Sequence, residues 1–244
     1  MSSKNDKRTA AIMQPTYLPW IGYFDIMDQV DVFVILDSAQ FSRRSWQQRN
    51  RIKTATGELM LTVPILTKGR REQCIDDALI DASSHFEVSH LSSIRGSYAR
   101  ASFFADEWLP LSRILESVPK RLVDLNLALI DHFKDALGIG VDVVRSSTLL
   151  ASGHKVDLLV DICERVGAER YLSPLGSKAY IDENNLFASR GIDLVYHNYR
   201  HPTYRQLHGE FLPYMSVVDL LFNEGASASL PMIRSGRLDA ILGN

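Results

Sequence analysis

The sequence predicts an α/β fold whose sheet is mostly parallel and carries helices on both faces. Apolar runs of strand length, first Thr9–Met13 and then Val32–Leu36, alternate along the chain with segments of helical periodicity. In the second half a helix, a glycine and a strand follow one another twice, around Gly138 and Gly191. Strands that alternate with helices in this way pair in parallel, because the connecting helices pack on the two faces of the sheet. The expected architecture is therefore Rossmann-like.

The length and composition predict one domain. The chain has 244 residues, of which 45% are hydrophobic and 23% charged, as in an ordinary soluble globular protein. No linker rich in proline, serine or glycine divides it. We expect a single α/β domain over residues 1–244, with an excursion from the sheet over residues 67–120.

The first half should contain three strands and a short connecting helix. A helix is expected over Tyr23–Met27, between the two apolar runs named above. Leu59–Leu66 is a third apolar run of the kind that forms buried parallel strands, although Pro64 stands near its end. Residues 43–53, which are basic and polar, are expected to form a loop between the second and third runs.

The remaining elements follow from capping residues and helical periodicity. Ser84 and Glu87 form a capping-box pair, which predicts a helix that runs toward Arg95 and stops at Gly96. The later elements are expected in this order: an apolar cluster over Phe103–Leu111, a helix ending at Gly138, a strand over Val141–Val144, a helix over Lys155–Val166, a strand over Arg170–Ser173, a helix over Ser177–Arg190, a strand over Ile192–Tyr196 and a docking helix over Val217–Asn223.

Charge and composition exclude several classes of function. The net charge is −2, so no global field attracts the chain to nucleic acid. No apolar run approaches the ~20 residues that a membrane span needs, and the first residues lack the apolar core of a signal peptide. Cys74 and Cys163 lack metal-ligand spacing and are expected to be reduced thiols. We expect a cytoplasmic protein; the sequence specifies neither a cofactor nor an oligomeric state.

The segment Gln14–Tyr23 is the most distinctive part of the chain. It holds two prolines, a glycine, a tryptophan and two tyrosines in ten residues, which suits a rigid loop. The loop follows the first predicted strand, and open α/β sheets bind ligands at the carboxyl ends of their strands. Its candidate substrate-binding residues are Gln14, Tyr17 and Trp20. The alternative is a well-packed aromatic turn without chemistry.

The basic loop over residues 43–53 is a second candidate site. Guanidinium groups bind phosphate or carboxylate through two hydrogen bonds at once, and a tryptophan can stack on a base or a sugar. The candidate substrate-binding residues are Arg43, Trp46, Arg49, Asn50, Arg51 and Lys53. Asp37, at the end of the second strand, is a candidate catalytic residue, and Lys68–Arg71 adds a second basic patch. The alternative is a solvated cationic loop.

Residues 197–210 form a third candidate site. They include three histidines, two arginines and a glutamate, and histidine transfers protons near neutral pH. The catalytic candidates are His201, His208 and Glu210, and Tyr204 is a candidate for substrate binding. The spacing matches no zinc pattern, so no metal is expected. The alternative is that these groups only hold a loop against the edge of the sheet.

Several segments together resemble one family. They are Met13–Trp20, Ile35–Asp37 with Gln40 and Phe41, Trp46–Ile52, Leu61–Pro64, Leu207–Phe211 and Ser216–Asn223. Over nearly its whole length the chain resembles the WbqC-like family of bacterial proteins. The resemblance implies a place in gene sets for O-antigen and other surface polysaccharides, and a transferase that adds an amino-acid or acyl group to an amino sugar. It supplies no set of catalytic residues.

A fainter resemblance concerns architecture alone. Residues 14–22 occupy the strand–loop–helix position at which nucleotidylyltransferases bind nucleotide phosphates through two histidines. Both histidines are absent here, so the resemblance implies a similar fold, and the missing histidines count against adenylyl-transfer chemistry.

The leading hypothesis is a transferase that acts on a nucleotide-linked or phosphorylated small molecule. The phosphates would be held by Arg43, Arg49, Arg51 and Lys53. Trp20 or Trp46 would stack on the base or sugar, while Asp37 with His208 or His201 would accept the proton of the attacking group. One alternative is a non-catalytic module that binds a sugar nucleotide or a partner enzyme. Another is an ATP-dependent adenylate-forming ligase.

Overall fold

A computed structural model of the protein describes residues 7–181 and 185–243. The eight strands in these ranges are β1 Thr9–Met13, β2 Val32–Ile35, β3 Arg49–Thr54, β4 Gly57–Thr62, β5 Asp142–Arg145, β6 Arg170–Pro174, β7 Asp193–His197 and β8 Ile241–Leu242. Six of them form one sheet in the order β5-β2-β1-β6-β7-β8. Every neighbouring pair is parallel except β7 with β8. The predicted α/β fold with a mostly parallel sheet is confirmed.

Helices cover both faces of this sheet, as predicted. The α-helices in the described ranges are α1 Ile21–Met27, α2 Phe86–Tyr98, α3 Phe104–Glu116, α4 Leu122–Ala136, α5 Val156–Arg165, α6 Lys178–Ile181, α7 Leu186–Ser189, α8 Val217–Glu224 and α9 Ala226–Ser235. Alternate side chains of β1 point to opposite faces. Ala11 joins a core that includes α1 to α4, α8 and α9, whereas Ala10 and Ile12 join a core built with α5 to α7.

The order of the strands sets where a ligand can enter. Counted along the chain, the six strands of the sheet follow the order 3-2-1-4-5-6 of doubly wound folds. The direction of winding reverses between β1 and β6, so a crevice opens at the carboxyl ends of these two strands. The segment Gln14–Trp20 leaves the sheet at this point.

A separate antiparallel hairpin corrects two predictions. Residues 43–53 do not form a loop throughout, because Arg49–Thr54 is β3. The run Leu59–Leu66 is not a buried parallel strand, because β4 ends at Thr62 and pairs only with β3. Leu59 and Met60 are each 38% exposed. An isolated hairpin buries one face more than the other, so the half-buried Arg49 and Arg51 alternate with the buried Asn50 and Ile52 along β3.

The N-terminus of α2 corrects a third prediction. The capping box does not form, because Ser84 belongs to a 3₁₀ turn and its hydroxyl donates to Asp81 O at 2.7 Å. His85, with a φ of 49°, precedes the first helical residue instead. The helix also continues through Gly96 to Tyr98, where packing against α3 and the hairpin stabilises its last turn.

Helices end just before Gly138 and Gly191, as predicted, and the chain turns at both glycines. Both glycines have a φ of 70°, a left-handed conformation that costs glycine little.

The apolar cluster near Trp108 is part of α3. The predicted helix over Ser177–Arg190 is divided into α6 and α7, and residues 182–184 of that prediction lie outside the described residues. Within the described ranges, no helix combines the length and apolarity needed to cross a bilayer.

Candidate functional site

The loop after β1 is held rigidly by buried amide side chains. Asn50 Nδ2, on β3, donates to Leu18 O at 2.7 Å. Asn126 Nδ2, on α4, donates to Pro15 O at 3.3 Å and to Gln47 O at 2.8 Å. Both asparagines are buried, so these bonds satisfy carbonyl groups that water does not reach. The loop is therefore preorganised by the hairpin and α4.

The residues at the start of α8 are bonded to both the β1 loop and β3. Ser216 N donates to Arg51 O at 2.9 Å, and Val217 N donates to Pro19 O at 2.8 Å. These bonds fix the residues just before α8 between the β1 loop and β3. Tyr214 is thereby placed beside Trp20, with ring centroids 5.5 Å apart.

The β1 loop, the hairpin and the residues before α8 enclose a cavity of about 280 Å³, which we call the aromatic pocket. It is lined by Met13, Thr16, Trp20, Tyr23, Trp46, Asn50, Arg51 and Tyr214. Four of the eight residues are aromatic, and Met13 is the last residue of β1. The pocket thus lies at the carboxyl end of the first strand, where the fold class binds its ligands. Its volume is close to the lower limit of about 300 Å³ for small-molecule sites.

Three residues of the aromatic pocket carry a buried polar atom without a hydrogen-bond partner in the described part of the chain. They are Thr16 Oγ1, Tyr23 Oη and Arg51 Nε. Buried polar atoms are almost always paired in folded proteins, so three exceptions at one cavity need an explanation. Because these atoms have almost no accessible surface, a polar ligand in the pocket would supply it only if the three side chains shifted to meet the ligand.

Arg51 is positioned by its other contacts. Its Nη1 donates to Glu58 Oε2 at 2.9 Å, and its guanidinium lies 5.3 Å from the ring centroid of Trp46. Guanidinium groups stack favourably on indole faces. The two residues form one wall of the pocket, on the hairpin side.

His201 lies behind Trp20. The two rings are stacked, with centroids 6.2 Å apart and planes inclined by 19°. His201 Nδ1 is 2.8 Å from Pro202 O; because a carbonyl oxygen only accepts, Nδ1 carries the proton. Burial lowers the pKa of His201 below its ordinary value, which keeps the ring neutral at pH 7. Nε2 is therefore an unprotonated acceptor, and no described residue donates to it.

Tyr204 belongs to a cluster around Asp219 on α8, whereas His208 is bound at the end of α2. Asp219 is buried and accepts from Tyr98 Oη at 2.8 Å, Tyr204 Oη at 2.9 Å and Gln206 Nε2 at 2.7 Å. His208 Nε2 is 2.7 Å from Ser97 O, near the end of α2. Burial raises the pKa of the Asp219 carboxyl, more than the three donors lower it.

Lys53 belongs to the Asp219 cluster as well. Its side chain is buried, and Nζ donates to the carbonyl oxygens of Gly209 and Glu210. Glu210 is itself exposed and accepts from Lys53 through its backbone oxygen. Lys53 and Glu210 thus join the hairpin to the loop before α8, and neither lines the aromatic pocket.

Asp37 follows β2 and is bound by residues at the end of β5. It accepts from Arg145 Nε at 2.5 Å, from Ser146 Oγ at 3.0 Å, and from Ser147 N and Oγ at 2.9 Å and 2.8 Å. Burial raises the pKa of Asp37, but the hydrogen bonds from Ser147 and Arg145 outweigh it and the net direction is down. Asp37 is an ionised carboxylate that joins β2 to the turn after β5, without contact to His201 or His208.

The other candidate residues are divided between the pocket and its surroundings. Gln14 is exposed, and its Oε1 accepts from Gln47 Nε2 at 2.8 Å. Tyr17 is buried below the loop with its hydroxyl 2.8 Å from His90 Nδ1. Arg49 shares a face of β3 with Arg51, and its Nε is also buried without a described partner. Arg43 is exposed, donates to Thr67 Oγ1 and lines a different cleft.

The structure also adds residues that the sequence did not single out. Thr16 and Tyr23 lie within the segment expected to bind a ligand, so finer reading of that segment would have found them. Tyr214 carries no local signal, since it lies in a short apolar connection after a proline, between two candidate segments. Within the described ranges, no three His, Cys, Asp or Glu side chains converge as they would to hold a metal ion.

Comparisons with known proteins agree on one relationship. The model of the WbqC-like protein family matches residues 14–230. The uncharacterized protein Rv1507c of Mycobacterium tuberculosis is 36% identical over 225 residues, which cover 91% of this chain and 96% of the relative. No solved structure matches the chain.

Proposed function

The chain belongs to the WbqC-like protein family, and we propose that it is a transferase of surface polysaccharide (O-antigen type) biosynthesis. It would add an amino-acid or acyl group to a nucleotide-linked amino sugar in the cytoplasm. The observation that carries this proposal is the aromatic pocket, whose residues Thr16, Tyr23 and Arg51 each present a buried polar atom without a described partner. The resemblance to the family supports the class of pathway.

The aromatic pocket suits a sugar ring. Trp20 and Trp46 offer flat apolar faces on which the C–H face of a sugar packs. The three unpartnered atoms would offer hydrogen bonds to its polar edge once their side chains shifted toward the sugar. Thr16 and Tyr23 hydroxyls both donate and accept, whereas Arg51 Nε only donates. At about 280 Å³ the pocket takes one ring, so the nucleotide would extend out of it.

Arg49 and Arg51 are the cations best placed to hold the phosphates. Both lie on the same face of β3, and Arg51 lines the aromatic pocket. Lys53 is occupied by two backbone carbonyls, and Arg43 lines a separate cleft. The phosphate-binding role is therefore assigned to two of the four cations considered from the sequence.

His201 is the candidate general base. Its neutral ring carries the proton on Nδ1, so Nε2 has a free lone pair. The ring is stacked on Trp20 and does not line the pocket, so Trp20 would have to move before Nε2 reached a bound sugar. In the proposed step the amine of the sugar attacks the carbonyl carbon of an activated acyl donor. The N–C bond forms, the leaving group departs with its electron pair, and Nε2 accepts the proton of the amine.

The test combines binding and turnover. We would measure thermal shifts with nucleotide-linked amino sugars in the wild type and in Trp46→Ala, with Leu109→Ala as the control. Trp46 and Leu109 are similarly exposed, at 46% and 53%, but only Trp46 lines the pocket. A ligand at one hundred times its Kd stabilises the fold by about 2.7 kcal/mol. We expect Trp46→Ala alone to lose that shift, and His201→Gln to retain binding while kcat falls about 10²–10⁴-fold.

The possible results separate the hypotheses. A shift that persists in Trp46→Ala would contradict the assignment of the pocket. Binding without transfer from any acyl donor would favour a non-catalytic sugar-nucleotide module. Release of pyrophosphate from ATP with a carboxylic acid would favour an adenylate-forming ligase instead.

A further inference from the structure

A second and larger cleft lies away from the aromatic pocket. It has a volume of about 1450 Å³ and is bordered by residues 67–73, which follow β4, and by the start of α4. It shares no lining residue with the aromatic pocket. A ligand bound in this cleft would use different residues, so an inference about the cleft does not depend on the function proposed for the aromatic pocket. We call it the cationic cleft.

The cationic cleft concentrates positive charge on a chain whose net charge is −2. Its basic residues are Arg43, Lys68, Arg70, Arg71, Lys120 and Arg121, and its acidic residues are Glu72, Asp77 and Asp124. Asp124 is bound by Arg121 through two hydrogen bonds of 2.9 Å. None of the other five basic side chains forms an ion pair within the described part of the chain. Five cations thus face two carboxylates, Glu72 and Asp77, in one concave surface.

The walls of the cationic cleft are held by backbone hydrogen bonds. Leu66 N donates to Leu79 O at 2.9 Å, and Ile80 N donates to Lys120 O at 3.0 Å. These bonds join the base of the 67–73 segment to Lys120, two residues before α4. Gly69, at a φ of 73°, turns the segment between two of its cations. The positive groups are therefore carried by a defined scaffold and not by a free tail.

The end of a helix adds to the positive potential. α4 has 15 residues, and Arg121, which precedes its first residue, makes no side-chain cap. The partial positive charge at a helix N-terminus favours anions, and here it points to the wall that carries Lys120 and Arg121. Asp124 in the first turn offsets part of this charge.

We propose that the cationic cleft binds the diphosphate group of a small molecule. Arg43, Arg70 and Arg71 supply guanidinium forks, which bind phosphate oxygens in pairs, and the two lysines supply point charges. The volume is well above that of the aromatic pocket and accommodates a nucleoside or a chain attached to the diphosphate. Phe41 and Leu79 provide an apolar part of the lining for that group.

The same diphosphate chemistry has two sources, a nucleoside diphosphate and an isoprenoid diphosphate. We would titrate inorganic pyrophosphate, UDP and geranyl diphosphate by calorimetry, with citrate as a multivalent anion that lacks phosphate. The proteins would be the wild type, Arg70→Ala/Arg71→Ala, and a control, Arg100→Ala/Arg113→Ala, whose exposed arginines lie outside the cleft. Trp46→Ala would serve as a variant of the aromatic pocket.

We expect pyrophosphate to bind the wild type, the control and Trp46→Ala alike. In Arg70→Ala/Arg71→Ala the Kd should rise at least about tenfold, because two charge-assisted contacts are removed. Tighter binding of UDP or of geranyl diphosphate than of pyrophosphate would support the proposal and identify the source. Equal binding in Arg70→Ala/Arg71→Ala, or no preference over citrate, would overturn it. Binding of single-stranded nucleic acid without binding of pyrophosphate would also overturn it.

Discussion

The indole of Trp20 lies over the Cα of Gly22: a Cβ at Gly22 would stand 2.2 Å from Cη2 and 2.3 Å from Cζ2 of the ring. Gly22 is in the first turn of α1, where glycine is less stable than alanine by about 0.5–1 kcal/mol. The glycine therefore destabilises its helix locally, but it leaves room for the ring that forms one wall of the aromatic pocket.

Gly22→Ala should displace Trp20 and disturb the aromatic pocket. We expect a loss of about 1–3 kcal/mol in the free energy of unfolding, because the added methyl overpacks a buried site. Urea unfolding and tryptophan fluorescence would measure the two effects. Gly96→Ala is the matched control, since a Cβ there meets no atom within 4 Å. It should stabilise α2 by about 0.5–1 kcal/mol; equal behaviour of the two variants would refute the role given to Gly22.

The pH dependence of catalysis should report on His201. Burial lowers the pKa of this histidine below 6.5, so its base form persists at pH 7 and is lost only at lower pH. We expect kcat/KM of the proposed transfer to be flat around pH 7 and to fall below pH 6.5. The residual activity of His201→Gln should lack this acid limb. An identical limb in the variant would assign it to another group.

His90 should make the stability of the fold depend on pH. Burial lowers its pKa from 6.5 to about 4, so between these values the unfolded chain binds a proton that the folded protein does not. Stability is fully present above pH 6.5 and falls as the pH decreases toward 4, by about 3 kcal/mol in total.

Two variants separate the titration of His90 from its contact with Tyr17. Urea unfolding of the wild type should show a lower free energy at pH 5 than at pH 7, and His90→Gln should reduce that difference by about 2 kcal/mol. Tyr17→Phe removes the 2.8 Å hydrogen bond but leaves the imidazole buried, so it should retain the wild-type difference. The same pH dependence in His90→Gln would contradict this account.

Asp219 should be a major determinant of stability. Its carboxylate accepts from Tyr98, Tyr204 and Gln206, and each buried donor left without an acceptor costs about 1–3 kcal/mol. Asp219→Ala should therefore lower the free energy of unfolding by about 3 kcal/mol or more. Asp219→Asn, which keeps one oxygen acceptor, should lose less. The exposed Asp239→Ala should stay within about 0.5 kcal/mol of the wild type, and a similar small effect at Asp219 would show that the cluster is not structural.

The cysteines should be slow to react in the folded protein. Burial raises the pKa of Cys163 to about 12, so almost no thiolate forms at pH 8. The pKa of Cys74 is also raised, by burial and by the nearby Asp76 and Asp77. In Cys74→Ser, Ellman's reagent should not label Cys163 until urea is added. Rapid labelling of the native variant would mean that α5 opens locally.

Much of the fold could be predicted because it depends on local pattern. The apolar runs at Thr9–Met13 and Val32–Leu36 correspond to β1 and β2, since a buried parallel strand needs a continuous apolar stretch. The helix ends at Gly138 and Gly191 could be predicted because glycine adopts a positive φ at little cost, and both glycines do so here. The hairpin was missed because the charges of β3 on its open face resemble those of a solvated loop.

The site was predicted less completely, for a physical reason. The sequence by itself indicated a rigid aromatic loop after the first strand, since prolines and aromatic residues restrict the backbone there. The structure confirms the loop over Gln14–Trp20, but Ile21–Tyr23 of the predicted loop belong to α1. Only the tertiary structure decided its partners: β3 brings Trp46 and Arg51 to the loop, and the segment before α8 brings Tyr214. It also bound Asp37 to residues more than a hundred positions away. Such contacts depend on strand order and side-chain direction, which no local pattern encodes.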